Sequence, residues 1–72
     1  MMRPSNAVIA VLELAEAGKP LMADVGQGLR GAEAKAAYYE RRDAIESARR
    51  ADWIDAADRL TERGRFALAG VR

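Results

Sequence analysis

From Ala32 to Arg50 the chain runs without a single glycine or proline. The stretch is rich in Ala, Glu, Arg and Lys, all good helix formers, and predicts one long helix. Ala34, Ala37, Tyr38, Ala44, Ile45 and Ala48 make its apolar stripe, interrupted by Arg41. Its opposite face carries Glu33, Lys35, Tyr39, Arg42, Asp43, Glu46 and Arg50, with Glu46 and Arg50 spaced for an i, i+4 pair. A chain of 72 residues holds one domain, residues 1–72, with a small core. This helix must therefore supply much of that core.

The rest of the chain is read from its breakers. Ser5 to Ala17 predicts a first helix, capped by Ser5 or Asn6, with Val8, Val11, Leu12 and Ala15 facing in. Gly18 suits the left-handed position just past a helix end, and Lys19-Pro20 confirms the stop. Leu21, Val25 and Leu29 at i, i+4, i+8 predict a short second helix over about Met22 to Leu29, weakened by Gly26 and Gly28. Trp53 to Ala56 reads as a short strand, Ala57-Asp58 as a turn and Arg59 to Thr61 as the return strand. Thr61 can cap a last helix, Glu62 to about Ala69, with Phe66 and one of Leu68 or Ala69 facing in. Leu12, Val25, Ile45 and Phe66 are then expected to meet in the core. The fold class is mostly α with a small β-hairpin.

Three stretches carry a family resemblance: VLELAEAGKPLMADVGQGL, the long helix leading into RRADWID, and RLTERGRFAL. Together they resemble the winged helix-turn-helix domains of bacterial and phage transcription regulators of the multiple-antibiotic-resistance-regulator type. The resemblance implies a three-helix core, a two-stranded wing and a C-terminal helix. It also implies that double-stranded DNA is the partner, with the third helix lying in the major groove. Arg30, Lys35, Tyr39 and Arg42 are the residues placed for that groove, and Arg59 would steer the hairpin onto a phosphate. So small a monomer contacts few base pairs, so a homodimer or a protein partner would complete the site.

An alternative is a protein-interaction module on the same scaffold. It is favoured by the hairpin tip Asp55-Ala56-Ala57-Asp58, which carries two carboxylates, and by the charge balance of 12 cations against 11 anions. Tyr39 would then serve protein contact through its rigid ring. Trp53 is read as covering the helix junction, and Arg49-Arg50 and Arg63/Arg65 as solvated surface.

The chain has no cysteine and no histidine. That removes thiolate chemistry, disulfides, the commonest general base and the commonest metal ligand. Asp43/Glu46 and Asp55/Asp58 could bind a cation or act as acid and base, but no other residue suggests a cleft around them. The chain is therefore expected not to be an enzyme and to take neither cofactor nor metal. The apolar run from Ala7 to Leu12 is too short for a signal or membrane segment, so a cytoplasmic protein is expected.

Overall fold

The computed structural model describes residues 3–72. Among them three helices form: α1 (Asn6–Glu16), α2 (Gly31–Arg50) and α3 (Glu62–Ala69). At about 1.5 Å per residue the 20-residue α2 is about 30 Å long and sets the long dimension of a body 36 × 23 × 21 Å across. α1 packs along α2, and α3 closes on α1. The core is Val8, Val11, Leu12 and Ala15 of α1, Leu21 from the connection before α2, Ala44 and Ala48 of α2, Ile54 from the connection after it, and Leu68 of α3. No helix among the described residues is long and apolar enough to cross a membrane.

The helix ends follow from local chemistry. The Ser5 hydroxyl accepts from the Val8 N–H at 3.3 Å and starts α1. α1 stops in a Schellman arrangement: Lys19 N–H donates to the Leu14 carbonyl and Gly18 N–H to Ala15, with Gly18 at φ +70°. α2 ends the same way, through Trp53 to Ala48 and Asp52 to Arg49. Here Asp52 takes the left-handed position at φ +61°, which aspartate tolerates better than most residues.

Of the four residues expected to meet in the core, only Leu12 lies in it: Ile45 packs at its edge, and half-buried Val25 and exposed Phe66 lie outside it. Two expected elements are corrected as well. The short helix over Met22 to Leu29 does not form. The segment is a series of turns, with Ala23, Val25, Gln27 and Leu29 N–H groups bonded to the carbonyls three residues back. Asp24, Gly26 and Gly28 all have positive φ, each at the third position of one of these turns, as a type II turn requires. A right-handed helix cannot pass through such residues.

The β-hairpin wing is also absent, and the described residues contain no strand. A single antiparallel bridge, Ile54 to Leu60, is all that remains of the expected hairpin. The Schellman end of α2 occupies the chain up to Trp53, and Thr61 already caps α3. Too little extended chain is left between them for a ladder. The fold is thus all-helical, with three helices where four and a wing were expected.

Thr61 ties this connection together. Its hydroxyl donates to the Asp52 carbonyl at 2.5 Å and accepts from the Gly64 N–H at 3.0 Å, while its own N–H donates to the Trp53 carbonyl. At the far end, Arg72 donates to both carboxylate oxygens of Glu16, tying the chain after α3 to α1. That hydrogen bond holds the Glu16 carboxyl below its ordinary range and raises Arg72. With a depressed folded-state pKa, the contribution of Glu16 to stability is present above the usual carboxylate range. It is lost as pH falls through the depressed value.

Candidate nucleic-acid interface

The N-terminal half of α2 stands clear of the core. From Gly31 to Asp43 only Ala34, Ala37 and Arg41 are even half-buried. Four alanines and a glycine keep this half slim. Its cap residue, Arg30, is extended and makes no side-chain capping bond, so the first-turn amides of α2 have no cap acceptor.

Lys35, Tyr39 and Arg42 are all exposed and follow one side of the helix at i, i+4, i+7. Tyr38, expected on the inward stripe, is exposed as well, at 45%. The reason lies in helix geometry: the inward row of α2 runs through Ala37, Arg41, Ala44 and Ala48, and Tyr38 sits one position, about 100°, off that row, in line with the half-buried Ile45. Tyr38 instead packs edge-on against Tyr39, ring centres 5.6 Å apart, and the Arg42 guanidinium lies 5.8 Å from the centre of the Tyr38 ring. This cation–π contact orders Arg42 while leaving its hydrogen-bond donors free for a ligand.

Tyr38, Tyr39 and Arg42 line one side of an open groove. Its other walls are Pro20 to Met22 and the Arg49–Asp58 ion pair, closed at 2.5 Å. Arg30, Lys35 and Arg59 lie outside this groove. The structure therefore brings Tyr39 and Arg42 together, keeps Lys35 on the same helix side, and leaves Arg30 and Arg59 exposed at separate points. None of Arg30, Lys35, Arg42 and Arg59 makes an ion pair among the described residues.

The acidic loop is less repulsive than its composition suggests. Asp58 is neutralised by Arg49. The Asp55 carboxylate accepts the backbone N–H groups of Ala57 and Arg59, both at 2.9 Å, so it is spent on closing its own loop. Glu46 is bound to Arg50 at 2.6 Å. These engagements also occupy carboxylates of the two pairs read as cation or acid–base candidates, and no cluster of three metal-binding side chains exists among the described residues.

Arg41 is the positioning residue that sequence reasoning missed. It is half-buried, and its guanidinium donates to the carbonyls of Leu21 and Ala23, at 3.0 and 3.2 Å. It fastens the turn segment to α2 and so shapes the groove floor. The available signal was a lone arginine inside an apolar stripe. Arg41→Met should cost about 1.5–3 kcal/mol, the worth of hydrogen bonds from a charged donor. Hydrogen exchange should speed up over residues 20–29 first; uniform loss of protection across all three helices would contradict this local role.

Comparison of the chain with protein-family models, with curated proteins and with solved structures finds no match.

Proposed function

We propose that the chain is a small, non-enzymatic double-stranded-DNA-binding domain of the kind that regulates transcription, with the N-terminal half of α2 as its reading element. The observation that carries this reading is the slim half-helix with Lys35, Tyr39 and Arg42 exposed along one side and no carboxylate paired to either cation among the described residues. A helix about 10–12 Å across fits a major groove about 12 Å wide. Arginine and lysine there pair with guanine edges or phosphates, and a tyrosine hydroxyl reaches the backbone. The positive end of the α2 dipole and Arg30 sit at the entering tip, with Glu33 the acidic residue of that first turn. Arg59, held on a loop whose carboxylates are engaged, is a further phosphate contact.

The test is a fluorescence-anisotropy titration with random-sequence duplex at low salt. Binding in the micromolar range is expected, since non-specific affinities run about 10⁻⁴–10⁻⁶ M at physiological salt and tighten as salt falls. The double variant Lys35→Ala, Arg42→Ala should weaken binding at least about tenfold and lower the salt slope by about one unit for each phosphate no longer neutralised. Its helical circular dichroism should not change, because both side chains are exposed. No association of the unmutated protein at tens of micromolar would end the DNA reading.

A further inference from the structure

Phe66 is expected to face inward, yet it is the most exposed large apolar residue described, at 72%. The buried residues of α3 are Gly64 and Leu68, at i, i+4. Phe66 lies two positions from each, about 200° around the helix, and so on the opposite side. It is not isolated there. Phe66, Ala67 and Val71 form one wall of a shallow groove whose other side is Trp53, Ala51 and Pro4. Trp53 and Val71 are half-buried. A contiguous apolar surface of this kind marks a contact site more often than a scattered exposed residue does.

The charge at this groove has one sign. Among the described residues its charged lining residues are Arg3 and Arg63 alone, and neither makes an ion pair there. No residue lines both this groove and the one beside Tyr39 and Arg42. We propose that the Phe66–Trp53 groove docks an acidic, apolar peptide segment of a partner protein, its apolar side chains covering Phe66 and its carboxylates meeting Arg3 and Arg63. Charge complementarity selects this occupant. A second copy meeting through the same face would set this patch, whose charged residues are Arg3 and Arg63, against an identical patch with no carboxylate to answer them, since a two-fold contact pairs one surface with itself. Duplex DNA would gain its phosphate contacts at the rim but nothing from the apolar floor. Arginine and aromatic side chains around a coverable apolar centre are the residues that dominate protein contacts.

The experiment starts from a displayed random-peptide library selected on the full chain. Enriched peptides are then synthesised and titrated into isotope-labelled protein. Selected sequences should combine Leu, Phe or Trp with Asp or Glu, and should shift the Trp53 indole and the Phe66 and Ala67 amide resonances. Phe66→Ser should weaken them at least about tenfold, as loss of an anchor residue does. The charge reversal Arg63→Glu should turn the selection toward basic peptides. Both side chains are exposed, so an unchanged melting curve serves as the folding control. The proposal is overturned by any of four results: no enrichment, enrichment indifferent to charge, affinity unaltered in Phe66→Ser, or self-association that Phe66→Ser abolishes. Shifts at the same three residues on adding random duplex would overturn it too. The outcome is separable from the DNA reading, because Lys35→Ala with Arg42→Ala should leave peptide binding intact.

Discussion

Gly64→Ala should lower the melting temperature by about 10–20 °C. An alanine Cβ at this position would collide with the Trp53 carbonyl oxygen, and would lie 2.8 Å from Leu60 Cδ1 and 2.9 Å from the Trp53 carbonyl carbon. The Leu60 methyl can rotate away. The Trp53 carbonyl cannot, because it accepts the Thr61 N–H and belongs to the chain that leaves the Schellman end of α2. Either α3 lifts off Trp53 or that hydrogen bond breaks. Overpacking costs about 1–3 kcal/mol and more against a fixed neighbour, while alanine returns about 1 kcal/mol of helix propensity. A net loss of about 2–3 kcal/mol, at about 4–8 °C per kcal/mol in a domain of this size, spans about 8–24 °C, with the expected 10–20 °C as its middle. Gly70→Ala is the matched control: its Cβ would meet only ordinary contacts at 3.6 Å, and its φ of −70° suits alanine. It should be neutral or slightly stabilising. A Gly64→Ala protein that melts with the Gly70→Ala protein would mean α3 does not sit on Trp53 as described.

That glycine also explains why the inward side of α3 could not be read from the sequence. Phe66, Ala67, Leu68 and Ala69 are consecutive and apolar, so periodicity alone offers every face of a two-turn helix. What selects the face is close approach at Gly64, a backbone contact with no apolar signature. Leu68 follows it into the core one turn later, and Phe66 is left outside.

Signals that act within a few residues were legible. Ser5, Gly18 and Thr61 mark helix ends through bonds to neighbours three to five residues away, and all three do so. Lys35, Tyr39 and Arg42 share a side because helix geometry alone puts them there. The Met22–Leu29 segment reads as a helix because its apolar spacing fits one, whereas Asp24, Gly26 and Gly28 adopt left-handed angles that spacing does not encode. The wing is expected from the β-favouring Trp53 and Ile54, which do not reveal how much chain the flanking caps consume. Contacts made across the fold left no local trace: Arg41 to the turn carbonyls, and Arg49 to Asp58 through a non-helical stretch.

The same distinction governs the core. The sequence places Leu12 and Ile45 on the inward stripes of their helices, where truncating Ile45 is expected to cost about 2–5 kcal/mol. The structure separates them. Leu12 is fully enclosed, at 0% exposure, in the cluster that also holds Val8, Val11, Ala44, Ala48, Ile54 and Leu68. Ile45 is half-buried at the edge of that cluster and faces the groove beside Tyr38 and Tyr39. Leu12→Ala removes packing on every side and should cost about 3–5 kcal/mol, the upper part of the range for a site that cannot collapse. A domain of this length has roughly 4–11 kcal/mol to lose, at about 0.05–0.15 kcal/mol per residue. The Leu12→Ala protein should therefore lose from about a quarter of the parent urea midpoint to all of it. Ile45→Ala, whose vacated space opens to water, should cost only about 1–2 kcal/mol, in line with its partial burial. Urea titrations of the two variants side by side measure the difference. Equal midpoints would mean that Ile45, not the row through Ala44 and Ala48, is the residue of α2 turned toward α1, and that Tyr39 and Arg42 face a different direction from the one described.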